Sequence, residues 1–305
     1  MNSTRETTTV GALRQALPYL RLFQGKSFVV KCGGELFDNP IRLKRLIEQV
    51  SVLHRLGIHI VFVHGGGPQT SRLSASLGRE VNVVKGRRVT SSETLEDSAM
   101  VLNGQLNTRV VGMLREFGIK AVGLSGVDGD MVVAKKRAPV VVDDQAVDYG
   151  EVGDVEKIDC DLVCSLLDQG YLPVISPLSA SASGELLNIN ADVVAAHLAI
   201  ALSADKLILL SNVPGILKDQ NDPESLVSYV DLAGLVDLEK EGVIRGGMSP
   251  KVAALREAIA GGVPRAHVIS SSVPDSLLSE IFTNEGSGTM VVKKLEGPQS
   301  IEQDA

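Results

Sequence analysis

A chain of 305 residues with 44% hydrophobic residues and no Trp can bury a large core, as one domain or two lobes, and must build it from Val, Leu, Ile and Ala. Its formal net charge of -7 argues against a nucleic-acid or anionic-membrane surface, so an anionic ligand has to be held by a few local cations and backbone N–H groups. Three cysteines, Cys32, Cys160 and Cys164, make no disulfide scaffold and fit a reducing, cytoplasmic compartment.

The elements alternate along the chain. "MNSTRETTTVGALRQALPYLRLF" lacks the apolar core of a secretory leader. Leu13, Leu17 and Leu20 share a helical face with Phe23 close by and Pro18 interrupting, which predicts a short kinked helix. It either folds back on its own domain or forms an arm that packs on another subunit. "KSFVVKCGG" reads as a buried strand, and "NPIRLKRLIEQVSVLHRLG" as a helix whose stripe is Leu43, Leu46, Ile47, Val50 and Leu53, stopped by Gly57. "IHIVFVHGGG" is a second strand, and "SETLEDSAMVLNGQLNTRVVGMLREFG" one long helix capped near Ser92. "KAVGLSG" is a strand. The acidic "VVVDDQAVDYGEVGDVEKID" predicts a hairpin excursion, and "DLVCSLLDQG" a helix that places Cys160 and Cys164 in the core. "YLPVISPL" reads as one strand, then "NADVVAAHLAIALSA" as an Ala-rich helix. A second series follows: strand "DKLILLSNVPGIL", helix "GGMSPKVAALREAIAGG", strand "RAHVISS", helix "PDSLLSEIF" and strand "GTMVV".

This βαβα order with continuous apolar strands predicts an α/β fold, a three-layer αβα sandwich around a mainly parallel sheet. No apolar run reaches the roughly 20 residues that span a bilayer. The second βα series places a lobe boundary near residues 203 and 204, after an arm over 1–24.

Two strands end in glycines, Gly33-Gly34 and Gly65-Gly66-Gly67. Glycine contributes nothing to packing, but it lets backbone N–H groups approach an anion with no β-carbon in the way. Neither run has the spacing of a P-loop or of a dinucleotide fingerprint. Lys31 lies inside the apolar strand "FVVKCGG", where a buried ammonium needs an anionic partner, and Lys251 stands at a helix start after "RGGMSP". Asp192, at the end of "LLNINAD", is either a charge favoured by the helix dipole or the carboxylate that holds both lysines. Arg87 and Arg88 offer a clamp for a substrate carboxylate. His64 reads as a structural hydrogen-bonding group.

"VVKCGG", "VHGGGPQ", "GRRVT", "NINAD" and "GGMSPK", in this order, resemble the amino acid kinase family, and within it the branch that phosphorylates acetylglutamate in arginine biosynthesis. The resemblance runs from about Ala12 to Val292. It implies the amino acid kinase fold, with 25–203 as the acceptor lobe and 204–305 as the nucleotide lobe. It implies ATP as donor, N-acetyl-L-glutamate as acceptor, and Mg²⁺ carried by the nucleotide with no protein metal cage. Lys31 and Lys251 would stabilise the migrating phosphoryl, with Asp192 positioning both. Gly33, Gly34, Gly65, Gly66 and Gly67 would donate N–H groups, Arg88, Asn188 and Asn190 would hold the acceptor, and Ser211, Asn212 and Gly215 would line the nucleotide site. The C-terminal stretch matches the effector region of arginine-inhibited hexameric members at His267, Glu280, Gly286 and Gly288. A homo-oligomer, either a dimer or a trimer of dimers, and a PII-type signalling partner follow from the same likeness.

The chain departs from the family pattern at Asn212, where Asp is usual, at Glu35-Leu36, where small residues are usual, and at Ser270-Ser271-Ser272, where Asp-Gly-Arg is common. Two other functions fit the same motifs: a kinase for an acetylaminoadipate-type acceptor, and a non-catalytic amino-acid-sensing module like the kinase-like half of acetylglutamate synthases.

Overall fold

The computed structural model describes residue 14 and residues 16–84, 87–142, 145–283 and 286–294. Eight strands, β1 (Ser27–Cys32), β2 (His59–His64), β3 (Ala121–Ser125), β4 (Leu172–Ser176), β5 (Lys206–Ser211), β6 (Tyr229–Asp231), β7 (Arg265–Ser270) and β8 (Thr289–Val292), form one sheet in the spatial order β6-β8-β7-β5-β1-β2-β4-β3. Every pairing is parallel except β7 with β8. Strands apolar on both faces need cover on both, and the connecting helices supply it. On β1, Phe28, Val30 and Cys32 pack with α1 (Pro40–Arg55) on one side, while Val29 faces the opposite core. That opposite core is closed by α5 (Asp161–Asp168), α6 (Ala191–Ala201), α7 (Leu232–Lys240) and α8 (Met248–Ala260).

Local signals act as expected in α1. Asn39 Oδ1 accepts from Arg42 N at 3.1 Å, Pro40 opens the helix, and Gly57 follows its end with φ +86°. The long helix after Thr90 is interrupted. Ser91, rather than Ser92, caps α3 (Ser92–Ala99), its Oγ accepting from Thr94 N at 3.2 Å. Residues Met100–Asn107 then form wider π-type turns before α4 (Thr108–Glu116). These turns lay Leu102 and Leu106 against Gly66, and Asn107 Nδ2 donates to Val174 O at 2.8 Å and Leu124 O at 3.2 Å.

The expected single strand over Tyr171–Leu178 is in fact two strands in different sheets. β4 ends at Ser176, Pro177 offers no N–H to extend it, and Leu178–Ala180 joins a second sheet. That sheet has the order Leu186–Asn188, Leu178–Ala180, Val132–Lys136, Gly153–Ile158. The expected excursion includes a hairpin of Val140–Val142 with Gln145–Val147. Cys164 is exposed, against the expectation of a core residue, whereas Cys160 packs against the core and Cys32 is buried. Residues 16–23 are helical through Pro18, and buried Phe23 meets Phe28 edge-on at 5.3 Å. Leu13 and most of the expected arm lie outside the described residues. Among the described residues no helix is long and apolar enough to cross a membrane.

Candidate active site

Because β2, β1, β5 and β7 are adjacent and parallel, their carboxyl ends open on one edge, where ligands of such sheets bind. Cys32 pairs with His64 and Ser211 with Ser270, so the loops leave at matching levels. The two glycine turns touch. Gly65 N donates to Cys32 O at 2.9 Å, and a β-carbon on Gly34 would lie 3.0 Å from Gly66 Cα and 2.8 Å from Pro68. Gln69 Nε2 ties the pair together by donating to Gly34 O at 2.7 Å. From Gly67 the chain enters α2 (Gly67–Ser76), whose free N–H groups face an anion-friendly end.

Side chains alternate along β1, so Lys31 projects from the face that carries Val29, toward α6. The first turn of α6 carries Asp192, and Asn190 caps that turn, its Oδ1 accepting from Asp192 N at 2.7 Å. Lys31 Nζ lies 2.6 Å from Asp192 Oδ1, and Lys251 Nζ, from the first turn of α8, lies 3.1 Å from Oδ2. One carboxylate therefore bridges two ammonium groups from distant segments. Lys31 and Asp192 are only 5% and 4% exposed. Burial opposes the charge on Lys31, but Asp192 outweighs it and the pKa is raised. Burial likewise opposes ionisation of Asp192, and the two lysines overcome it and hold the carboxyl below its usual range. Lys251 goes the other way: burial and the neighbouring Lys31 charge lower it, and Asp192 only partly compensates. In this cluster two ammonium groups share one carboxylate beside two rows of backbone N–H groups.

Arg88 hangs over the second glycine turn. Its Nη2 donates to Gly67 O and, at 2.6 Å, to Ser71 Oγ, while Nη1 is buried with no partner among the described residues. Asn188 Nδ2 donates to Thr90 Oγ1 at 3.4 Å. Asn190 is exposed, with its carboxamide oxygen committed to the helix cap. The Arg87 side chain lies outside what is described. His64 is buried against Gly65 O at 3.2 Å and Asn107 Nδ2 at 3.3 Å, and burial lowers its pKa to about 4, so it is a neutral structural group.

A cleft of about 500 Å³ runs from this cluster across the ends of β5 and β7. Gly33, Ser211, Asn212, Gly215 and Lys251 line it, which brings the expected nucleotide residues to one of the two lysines. Glu35 faces the same cleft. Arg245 and Met248 also line it; "RGGMSP" holds both, and the basic residue just ahead of the glycine pair was the readable signal.

His267 and Glu280, expected in the effector region, lie in a separate buried cluster. His267 Nδ1 lies 2.6 Å from Glu280 Oε1 and its Nε2 lies 3.4 Å from Lys206 Nζ. Lysine only donates, so Nε2 accepts and Nδ1 carries the hydrogen given to Glu280. Glu280 Oε2 accepts from Ser287 N and, at 3.1 Å, from Gly288 N. Glu280 is therefore a buried, bonded group. Gly286 sits against it at φ +65°. Lys206, which the sequence did not single out, lies 5.1 Å over the Phe23 ring.

Residues 26–270 match the model of the "Amino acid kinase family". The chain is 47% identical over 289 residues to acetylglutamate kinase of Myxococcus xanthus, covering 93% of this chain and 94% of that one. It is 44% identical to acetylglutamate kinase of Archaeoglobus fulgidus, covering 92% and 98%. Its structure is similar to N-acetylglutamate synthase from Neisseria gonorrhoeae complexed with coenzyme A and N-acetyl-glutamate, with TM-score 0.81 and 27% identity; the likeness covers 94% of this chain but 64% of the synthase. Carbamate kinase from Giardia lamblia, at 18% identity and TM-score 0.64 over 88% of this chain, shares the fold. A carboxylate bridges two lysines at the glycine-lined ends of a parallel sheet, and with these likenesses over most of its length the chain belongs to the amino acid kinase family.

Proposed function

We propose that this chain transfers the γ-phosphoryl of ATP to the γ-carboxylate of N-acetyl-L-glutamate, giving N-acetylglutamyl 5-phosphate in arginine biosynthesis in the cytoplasm. The observation that carries this reading is the bridge from Asp192 to Lys31 and Lys251. The acceptor carboxylate, with a pKa of about 4.3, is already ionised at neutral pH and needs no general base. One of its oxygens attacks phosphorus, the bond to the bridging oxygen breaks, and ADP leaves with that electron pair. Lys31 and Lys251 offset the charge on the equatorial and bridging oxygens, and Asp192 holds both ammonium groups charged and in place. The glycine turns supply N–H donors to the phosphoryl and the acceptor. Arg88 carries an unpartnered buried Nη1 suited to the acceptor's α-carboxylate, Asn188 is assigned to the same acceptor, and Asn190 sets the position of Asp192. The cations, the N–H rows and the open cleft fit a magnesium-loaded nucleotide, whose Mg²⁺ would neutralise phosphate charge. The residues given to the acceptor fall within 25–203 and most of those given to the nucleotide within 204–305, which supports that lobe division.

The finer reading is feedback inhibition by arginine in a hexamer built as a trimer of dimers, open to a PII-type partner. His267, Glu280, Gly286 and Gly288 come together in one place, which favours an effector site there. Glu280 Oε2 is taken by Ser287 and Gly288, whereas Oε1 accepts from His267 Nδ1 alone and keeps a lone pair for a guanidinium donor.

An ADP-release assay with acetylglutamate, acetylaminoadipate and glutamate, with and without arginine, tests these readings together. Turnover of acetylglutamate above the other two is expected, falling when arginine is added. Turnover of none would favour the sensing module, although that module has no need of the intact Lys31, Asp192 and Lys251 cluster. Removal of residues 1–24 should lower the particle mass; an unchanged mass counts against the arm.

A further inference from the structure

Glu35 is the first residue after the touching glycine turns and is exposed in the nucleotide cleft. Among the described residues it forms no hydrogen bond and no ion pair, although Lys31 and Lys251 are both near enough to feel its charge. Its carboxylate is folded back over Gly33, so close that a β-carbon on Gly33 would collide with it. The missing β-carbon of Gly33 leaves the place that the carboxylate takes. A free carboxylate at a phosphate seat opposes a bare nucleotide polyanion, by an interaction that strengthens as water leaves the cleft. With Asp192 it also cancels the positive charge of the two lysines. A hard divalent cation reverses that sign, since it takes carboxylate and phosphate oxygens together.

Resting on the kinase reading above, we propose that Glu35 is the protein ligand, directly or through water, for the Mg²⁺ of the bound nucleotide, and that it makes the cleft select the metal-loaded nucleotide over the metal-free one. Gly33 leaves the room and the short turn Gly34–Asp38 holds the carboxylate at the cleft wall. The residue adds an oxygen donor that Lys31, Lys251 and the glycine N–H groups cannot supply, because all of those are donors or cations.

Calorimetric titration of ADP and of β,γ-imido-ATP, in Mg²⁺ and in EDTA, tests this without turnover. For the wild-type chain Mg²⁺ should tighten binding. In Glu35→Gln, an exposed and nearly isosteric change, that tightening should shrink by about tenfold, while metal-free nucleotide should bind at least as tightly as before. Glu35→Asp should recover part of the tightening. With Mn²⁺ in place of Mg²⁺, the spin-resonance spectrum of the bound metal nucleotide should change in Glu35→Gln. An equal metal effect in wild type and Glu35→Gln, or weaker binding of the variant in EDTA as well, overturns the assignment of Glu35. A wild-type chain that binds neither nucleotide in either condition overturns the kinase reading itself.

Discussion

Lys31 in the centre of the sheet and Asp192 on the first turn of α6 lie 2.6 Å apart with almost no water access. The ammonium is committed to one carboxylate oxygen, while Lys251 takes the other. Lys31→Ala should therefore lower kcat by about 10²–10³-fold or more, as loss of one preorganised charge donor does, with a smaller change in KM. Steady-state kinetics on a variant whose circular dichroism matches wild type checks this. Full activity would remove Lys31 from the transition state.

Asp192→Asn should move the alkaline limb of kcat to lower pH. Burial and the neighbouring Lys31 charge already hold the Lys251 ammonium below the usual lysine range. A lysine must be charged to act here, so activity is present below its pKa and lost as pH rises through it. Removing the carboxylate leaves burial and repulsion unopposed. Rates measured across the alkaline range should show the earlier fall; an unmoved limb would sink the idea.

Arg88→Ala should raise KM for the acceptor by roughly 10–100-fold, the equivalent of about 1.5–3 kcal/mol for a hydrogen bond to a charged group. KM for ATP should change little. An equal rise for both substrates would place Arg88 in a general structural role.

Gly34→Ala should weaken nucleotide binding and turnover with a modest effect on thermal stability. The added methyl meets Gly66 Cα, Pro68 and Gln69 Oε1 within 3.0 Å; Gln69 can swing away, but the Gly66 backbone and the Pro68 ring cannot. The glycine turns must separate. Unchanged ATP affinity in this variant would show that their contact is irrelevant.

Acid should destabilise the fold through His267 and Glu280. Burial and then the Lys206 charge lower His267 to about 4 from 6.5. Between those values the unfolded chain binds a proton that the folded chain does not, so stability falls as pH drops through that window. Burial opposes the ionised Glu280, but His267 and the Ser287 donors hold its pKa to about 2, so its contribution is lost below 4.5. Urea midpoints should decline less steeply from pH 6.5 to 4 in His267→Gln than in wild type. Parallel declines would refute the assignment.

The strands and most helices were legible because their signals are local: apolar runs, Asn39 and Gly57 at the ends of α1, glycines at strand ends. Lys31 was readable as a buried cation in want of an anion, and the ordered motifs supplied the family. Sequence could not distinguish Asp192 as a dipole charge from Asp192 as a bridge. That depended on the side-to-side alternation of β1 and on which strand lies next to which, neither of which is written in any single segment. The same holds for Glu280, which had no readable partner until the turn carrying Ser287 and Gly288 folded over it. Pro177, which divides Tyr171–Leu178 between two sheets, and the π-type turns at Met100–Asn107 were missed because periodicity looks alike on both sides of such breaks. Composition and spacing determined the layers and the anion-binding edge, since burial and turn chemistry act between near neighbours. Only the tertiary structure decided which charges meet, because that is set by strand order and helix docking between segments remote along the chain.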